Sequence, residues 1–386
     1  MTRLQINAEK IFIFPALAVN NGIRFLTGEF LRMDKHIYKN RLKGIRAAIS
    51  RTGTDCLIAA KPANVTWLTG FTGDDSWAIV LPRAVVLVTD SRYSEQAVTQ
   101  CSFSKIVERT AAMGNTVAEL LRKQRGIKTA AVEKSISLAD FRSLKKNLSC
   151  RLKAVEGIVE SARRKKDAVE VAAIRAAAKI AAMAFERVLR QVRPGLTENV
   201  LAGIVDFEIR KAGGANSFET IVAFGPNASK PHHQPASRKL RKNDTVLIDF
   251  GVRLDGYCCD LTRCFSVGAP SRFYDKVYAV VKQAHAAAIR TVKAGIEISR
   301  VDTVAREIIK KAGLPVYGHG TGHGLGLEVH ELPIVSGKAK GKLQAGDVIT
   351  IEPGVYIPRR LGVRIEDDCL VTKDGCVVLT ANCPKD

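Results

Sequence analysis

One passage of this chain occurs twice, and that limits its possible folds more than any other feature. PGLTENVLAGIVDFEIRKAGG (194–214) aligns without gaps on AGIEISRVDTVAREIIKKAGL (294–314), with Gly195/Gly295, Ile209/Ile309, Lys211/Lys311, Ala212/Ala312 and Gly213/Gly313 identical. KNDTVLIDFGV (242–252) then aligns on AGDVITIEPGV (345–355), which pairs Asp244 with Asp347, Ile248 with Ile351 and Asp249 with Glu352. GYCCD (256–260) aligns on GVRIE (362–366), pairing Asp260 with Glu366. A single match of this length arises by chance. Three in the same order predict two structurally similar halves, each giving a helix and a hairpin that aims two acids the same way.

The sequence before the repeat has a different organisation. From 33 to 157, helical stretches (37–52, 114–124, 138–146) alternate with short apolar runs at 56–60, 78–81, 85–88 and 130–132. Such alternation predicts an α/β layer with a mostly parallel or mixed sheet. Helical periodicity over 160–192 predicts one long helix, ended by Pro194-Gly195. A length of 386 residues suits two domains, here 33–157 and 158–386 with the boundary within 155–163. Residues 1–32 are expected to be an extension outside both domains, or a mis-assigned start ahead of Met33. IFIFPALAV (11–19) is only a faint export signal, interrupted by Pro15.

Composition narrows the function classes. A 46% apolar share excludes global disorder, and no apolar run nears the roughly 20 residues that span a bilayer. The nine cysteines form no CxxC pair and are odd in number, which fits reduced thiols in a cytoplasm rather than a disulfide framework. The net charge of +22 is scattered in short runs (163–166, 238–242, 338–342, 359–360), and the aromatics do not interleave with them. Stacking platforms are therefore missing, and the charge reads as solvated basic faces with no specific nucleic-acid partner.

The chemistry concentrates in the second part. HGTGHGLGLEVHE (319–331) sets His319, His323 and His330 among glycines, where imidazoles can ligate metals or move protons and glycines let a backbone run close to a substrate or ion. Asp249, Asp260, Glu352 and Glu366 sit in otherwise apolar strands. A buried carboxylate is driven towards its neutral form, and four converging ones also repel. Two divalent cations relieve both costs, and one imidazole with four carboxylates is a donor set for such a pair. Any one of these acids alone could equally be a salt bridge or a turn cap; all four at repeat-related positions could not. Cys258 and Cys259 flank Asp260, but adjacent strand residues face opposite ways, so burial is expected of them rather than ligation.

LIDFG, GYCCDLTR, GTGHGLGLEVHE, TIEPGVY and GVRIEDD together resemble the pita-bread metallopeptidases, within them the Xaa-Pro aminopeptidase (aminopeptidase P) and Xaa-Pro dipeptidase (prolidase) branch. RLKGIRAAI, NVTWLTGFTG and VLVTDSRY resemble that branch's amino-terminal domain, so the resemblance runs from about Met33 to the end. It implies a creatinase-like α/β domain followed by a pseudo-twofold catalytic domain. It also implies that Asp249 and Asp260 hold one metal, His323 and Glu352 the other, and that Glu366 bridges both. A bridging water or hydroxide would be the nucleophile, with Glu352 as proton shuttle. His232 and His330 would contact the scissile carbonyl or the leaving proline, His319 would line the pocket, and Tyr356 and Arg364 would be supporting polar contacts to substrate. His232 is preferred over His233 because the branch places its histidine seventeen residues before the first metal aspartate.

The resemblance further implies proline-containing peptides or dipeptides as substrates, a homodimer, and two divalent ions, manganese first with cobalt or zinc as alternatives. His319 could instead brace its loop, and Arg364 could pair with a ligand carboxylate. Dipeptides versus longer peptides stay open. Methionine aminopeptidases usually lack the amino-terminal domain, creatinase-like amidinohydrolases lack the metal carboxylates, and non-enzymatic relatives lose ligands. None of these marks fits this chain.

Overall fold

The computed structural model describes residues 35–385; the expectations for residues 1–32 fall outside them. A six-stranded sheet organises the first part. In spatial order its strands are Lys105–Glu108, Val85–Thr89, Trp77–Val80, Cys56–Ala59, Thr129–Glu133 and Arg151–Val155. Three neighbour pairs are parallel and two antiparallel, so the sheet is mixed. CLIA, WAIV and VVLVT are buried along their whole length, which is why they read as unbroken apolar runs. The two edge strands were not predicted. Lys105, Glu108, Arg151 and Lys153 give them the charged look of a protected sheet edge.

The single helix expected over 160–192 is two helices, Ile158–Arg164 and Ala168–Leu189. Periodicity continues across the break, but capping ends it. The Asp167 side chain accepts from the Val169 and Glu170 N–H groups, and Glu170 accepts the Asp167 N–H at 3.0 Å. The residues freed from helix are used across the molecule. The Lys166 N–H donates to the Gly346 carbonyl at 2.9 Å, and the side chains of Arg163 and Lys166 both reach Glu331.

The repeat is visible in three dimensions. Helices Glu198–Lys211 and Ile298–Lys311 occupy matching positions, preceded by the long helices Ala168–Leu189 and Arg272–Thr291. In each half a ligand-bearing strand sits between two others. Thr245–Phe250 lies between Ile221–Phe224 and Leu261–Ser266, and Val348–Ile351 lies between Gly322–Gly324 and Asp367–Val371. Backbone bonds repeat as well: Gly195 N–H to Leu240 O and Gly295 N–H to Leu343 O, both 2.9 Å. Thr262 is directly opposite Asp249, and Asp367 opposite Ile351, so Asp260 and Glu366 each stand one residue ahead of the returning strand. The Glu366 N–H donates to the Thr262 carbonyl at 3.2 Å, tying the two halves at the acids themselves. Apolar side chains fill both backs; Ile248, Phe250, Ile349 and Ile351 are fully buried, about 1.5–3 kcal/mol each relative to exposure.

If the Asp167 cap ends the first helix, Asp167→Ala removes it together with the ion pair to Arg41. Urea denaturation should show a loss of about 1–2 kcal/mol. A change below about 0.3 kcal/mol would show that the break is set by something else.

Candidate metal centre

Four carboxylates and one imidazole meet on the inner ends of the two hairpins. Asp260, His323 and Glu366 bring one ligand atom each within 4.8 Å of one another. His323 Nε2 lies 3.7 Å from Asp260 Oδ2 and 3.5 Å from Glu352 Oε1. Its other nitrogen, Nδ1, is 3.0 Å from the Gly324 carbonyl. A carbonyl can only accept, so Nδ1 carries the proton and Nε2 keeps its lone pair towards the acids. Asp249 is held by Arg364, which also donates to Thr262 Oγ1 (2.9 Å), Tyr356 OH (2.8 Å) and the Pro231 carbonyl (3.3 Å).

A cavity of about 810 Å³ opens over this cluster. His232, His319 and His330 line it, as do Asp249, Asp260, His323, Glu352, Arg364 and Glu366. His232 is exposed there, whereas its neighbour His233 is buried against Glu198 at 2.9 Å, a carboxylate that also takes the Phe224 and Ala236 N–H groups. The structure thus separates the two: one faces the cavity and the other braces the loop. The His330 ring packs edge-on against His323, centroids 4.3 Å apart. His319 lines the wall, but both its nitrogens are engaged, Nδ1–H with the Gly320 carbonyl at 2.7 Å and Nε2 with the Tyr356 hydroxyl at 3.0 Å. Tyr356 is not on the cavity wall; it stands behind, linking Arg364 to His319.

The glycines of 320–326 do not serve the cavity as expected. His323 lies in the strand Gly322–Gly324 rather than in a loop. A Cβ on Gly322 would strike the Thr350 carbonyl and one on Gly324 the Leu332 carbonyl, so the glycines let this strand pack against its own neighbours. Sequence reasoning also missed supports. Thr262 Oγ1 donates to Glu366 at 2.5 Å, and Thr350 Oγ1 accepts the His323 N–H at 3.0 Å. Each stands two residues from a ligand candidate, on the same strand face, and that period-two signal could have found them. Lys61, Glu160 and Arg163, from the first part of the chain, also reach the cavity, which no local pattern announces.

Residues 172–373 match the family model described as metallopeptidase family M24, and 41–165 match the creatinase/prolidase N-terminal domain. A Bacillus subtilis protein named uncharacterized peptidase YqhT is 36% identical over 344 residues, 88% of this chain and 97% of its own length. The chain belongs to metallopeptidase family M24. A Mycoplasma pneumoniae relative named putative Xaa-Pro aminopeptidase is 34% identical over 90% of this chain and 98% of its own. Among solved structures, the Xaa-Pro dipeptidase from Bacillus anthracis superposes with a TM-score of 0.87 at 32% identity, covering 90% of this chain and 99% of that one. The X-Pro aminopeptidase from Thermotoga maritima superposes at 0.82, 32% identical, covering 88% and 99%. As in these M24 peptidases, the fold is a creatinase-type α/β layer followed by the repeat-built catalytic layer.

The residues present suit the divalent metal that membership of this family implies. Asp249 Oδ1 and Asp260 Oδ1 are buried without a hydrogen-bond partner, a costly state that a cation removes. Oxygen donors with a single imidazole accept manganese, cobalt or zinc. Burial, then Glu366 and Asp249, push the Asp260 carboxyl well above its usual range; burial, then Glu352 and Asp249, do so for Glu366. Burial lifts Glu352 to about 7 and lowers His319 and His323 to about 4, leaving both imidazoles neutral at pH 7.

These directions fix a pH dependence. The metal-free folded chain holds protons on carboxylates that the unfolded chain has released. It therefore loses stability as pH rises from about 4.5 through 7, the window set by Glu352. A metal must displace those protons, so its stabilisation grows with pH. Thermal unfolding with and without Mn²⁺ should show a larger rise in Tm at pH 8 than at pH 6. An equal or smaller rise at pH 8 would contradict the protonation scheme.

Proposed function

We propose that this chain is an Xaa-Pro aminopeptidase, a dinuclear metallo-exopeptidase that releases the residue ahead of proline from peptides longer than two residues. The observation that carries the choice of length is the state of the cations around the cavity. Lys61 is paired with Glu328 at 2.7 Å, Arg163 with Glu328 and Glu331, and Arg364 with Asp249. Among the described residues lining the cavity, no cationic side chain is left to hold the terminal carboxylate of a dipeptide. A peptide that continues past proline needs no such partner.

In this proposal Asp249 and Asp260 hold one metal, His323 and Glu352 the other, and Glu366 faces both. When bound, the metals supply the positive charge that makes water nucleophilic near neutral pH and polarises the scissile carbonyl. Glu352, able to carry a proton near pH 7, takes one from the attacking water and gives it to the leaving nitrogen. That step matters here because the Xaa-Pro bond is a tertiary amide without an N–H, and its pyrrolidine leaves only when protonated. His232 and His330 donate to the oxyanion of the tetrahedral centre. His319, Tyr356 and Arg364 form a hydrogen-bonded chain that fixes Asp249 in place. Phe218, Ile221 and Leu332 offer an apolar wall for the proline ring. Manganese is the favoured metal, a homodimer the favoured assembly and the cytoplasm, given nine free cysteines, the favoured compartment. No helix among the described residues is long and apolar enough to cross a membrane.

Purified protein loaded with Mn²⁺ should cleave Xaa-Pro-Yaa peptides with kcat/KM well above that for Xaa-Pro dipeptides. Chelator or Asp260→Ala should reduce the rate to background. Dipeptides cleaved as well as or better than tripeptides would favour the dipeptidase. No cleavage of either, with metal shown to be bound, would overturn the assignment.

A further inference from the structure

The acids on the cavity wall are not all accounted for by the metals and the ion pairs. Asp249, Asp260, Glu352 and Glu366 belong to the centre, and Glu328 and Glu331 are paired with Lys61, Arg163 and Lys166. Glu160 is fixed by the Asn64 amide at 2.8 Å. Glu219 remains. It lines the cavity, is exposed, and makes no hydrogen bond or ion pair, not even with Arg210, which shares the adjoining depression.

Its position follows from strand register. Ile221 is directly opposite Asp249, and both line the cavity. Glu219 is two residues earlier on the extended chain, so it faces the same side as Ile221, roughly 7 Å along the strand. Thr220, between them, is turned inward and donates to Asp206 at 2.6 Å, which fixes the alternation at this strand end. A free carboxylate one residue's length from the acids of the centre meets the requirement for holding the first residue of a peptide. The α-nitrogen of that residue lies only two bonds from the carbonyl carbon being attacked.

We infer that Glu219 holds the α-ammonium group of the substrate's first residue, and so makes the enzyme require a free amino terminus. This rests on the proposed peptidase reading of the site. The group is a binding residue; it takes no part in bond cleavage. An exposed, unpaired side chain can be changed without disturbing the core, so the folded enzyme remains available for measurement.

The experiment compares Leu-Pro-Ala with its des-amino counterpart, 4-methylpentanoyl-Pro-Ala, on the Mn²⁺-loaded full chain. The wild type should prefer the free amine. Glu219→Gln should lower kcat/KM for Leu-Pro-Ala about 10- to 100-fold, the range of one charge-assisted hydrogen bond, mainly through KM, and leave the des-amino peptide unchanged. Glu219→Asp should recover part of the loss. Equal losses on both peptides, no loss on either, or a selective loss in Glu160→Gln instead would overturn the inference while leaving the peptidase assignment intact. A wild type that removes first residues regardless of proline would overturn that assignment, and the same amine comparison, made on whichever peptide it cleaves, would still decide Glu219. A wild type that cleaves no peptide overturns both.

Discussion

Everything in the catalytic layer is arranged around carboxylates buried together. Asp260 and Glu366 are each 5% exposed or less, and their charges lie close enough to raise one another's proton affinity. In a low-dielectric interior such a cluster is unfavourable unless protonated or matched by positive charge. Arg364 supplies one such charge, to Asp249, and is itself anchored by Thr262 and Tyr356. The remaining deficit is what gives the site its affinity for divalent cations. The same deficit is the reason a metallopeptidase of this family carries its ligands on rigid strands rather than on loops.

The repeat is how the chain brings the cluster about. Each half contributes one acid near the end of its central strand and another just before the returning strand. Superposing two such hairpins about a pseudo-twofold places four acids at one point, with no need for an insertion or a special loop. Departures from symmetry carry the functional differences. Arg263, in the first half, is fully buried and donates to the Glu366 carbonyl at 2.6 Å and to the Asp367 carboxylate, whereas its repeat-related position holds Cys369. His323 likewise comes from the second half, on a strand whose glycines admit close packing.

Much of this was legible in the sequence because it is periodic or repeated. The central strands, the repeat-related helices and the paired acids announce themselves by pattern, and the preference for His232 follows from spacing. What was not legible depends on contacts far apart in the chain. The helix break at 165–167 is decided by a cap and by Lys166 reaching Gly346. The charged edge strands lack the apolar signature used to find their neighbours. The glycines of 320–326 look catalytic in sequence, but their reason is the backbone of Thr350 and Leu332 lying against them. Lys61, Glu160 and Arg163 line the cavity only because the first layer folds over it, and Glu219 acquires meaning only once the register with Asp249 is known.

The central claim is that the buried carboxylates exist to hold two metal ions. Elemental analysis of the purified chain, loaded with Mn²⁺ and freed of excess, tests it most directly, alongside Glu366→Ala. The account predicts two manganese ions per chain in the wild type and loss of both in the variant, since Glu366 faces each. A wild type that retains none, or a Glu366→Ala chain that retains two, would contradict it.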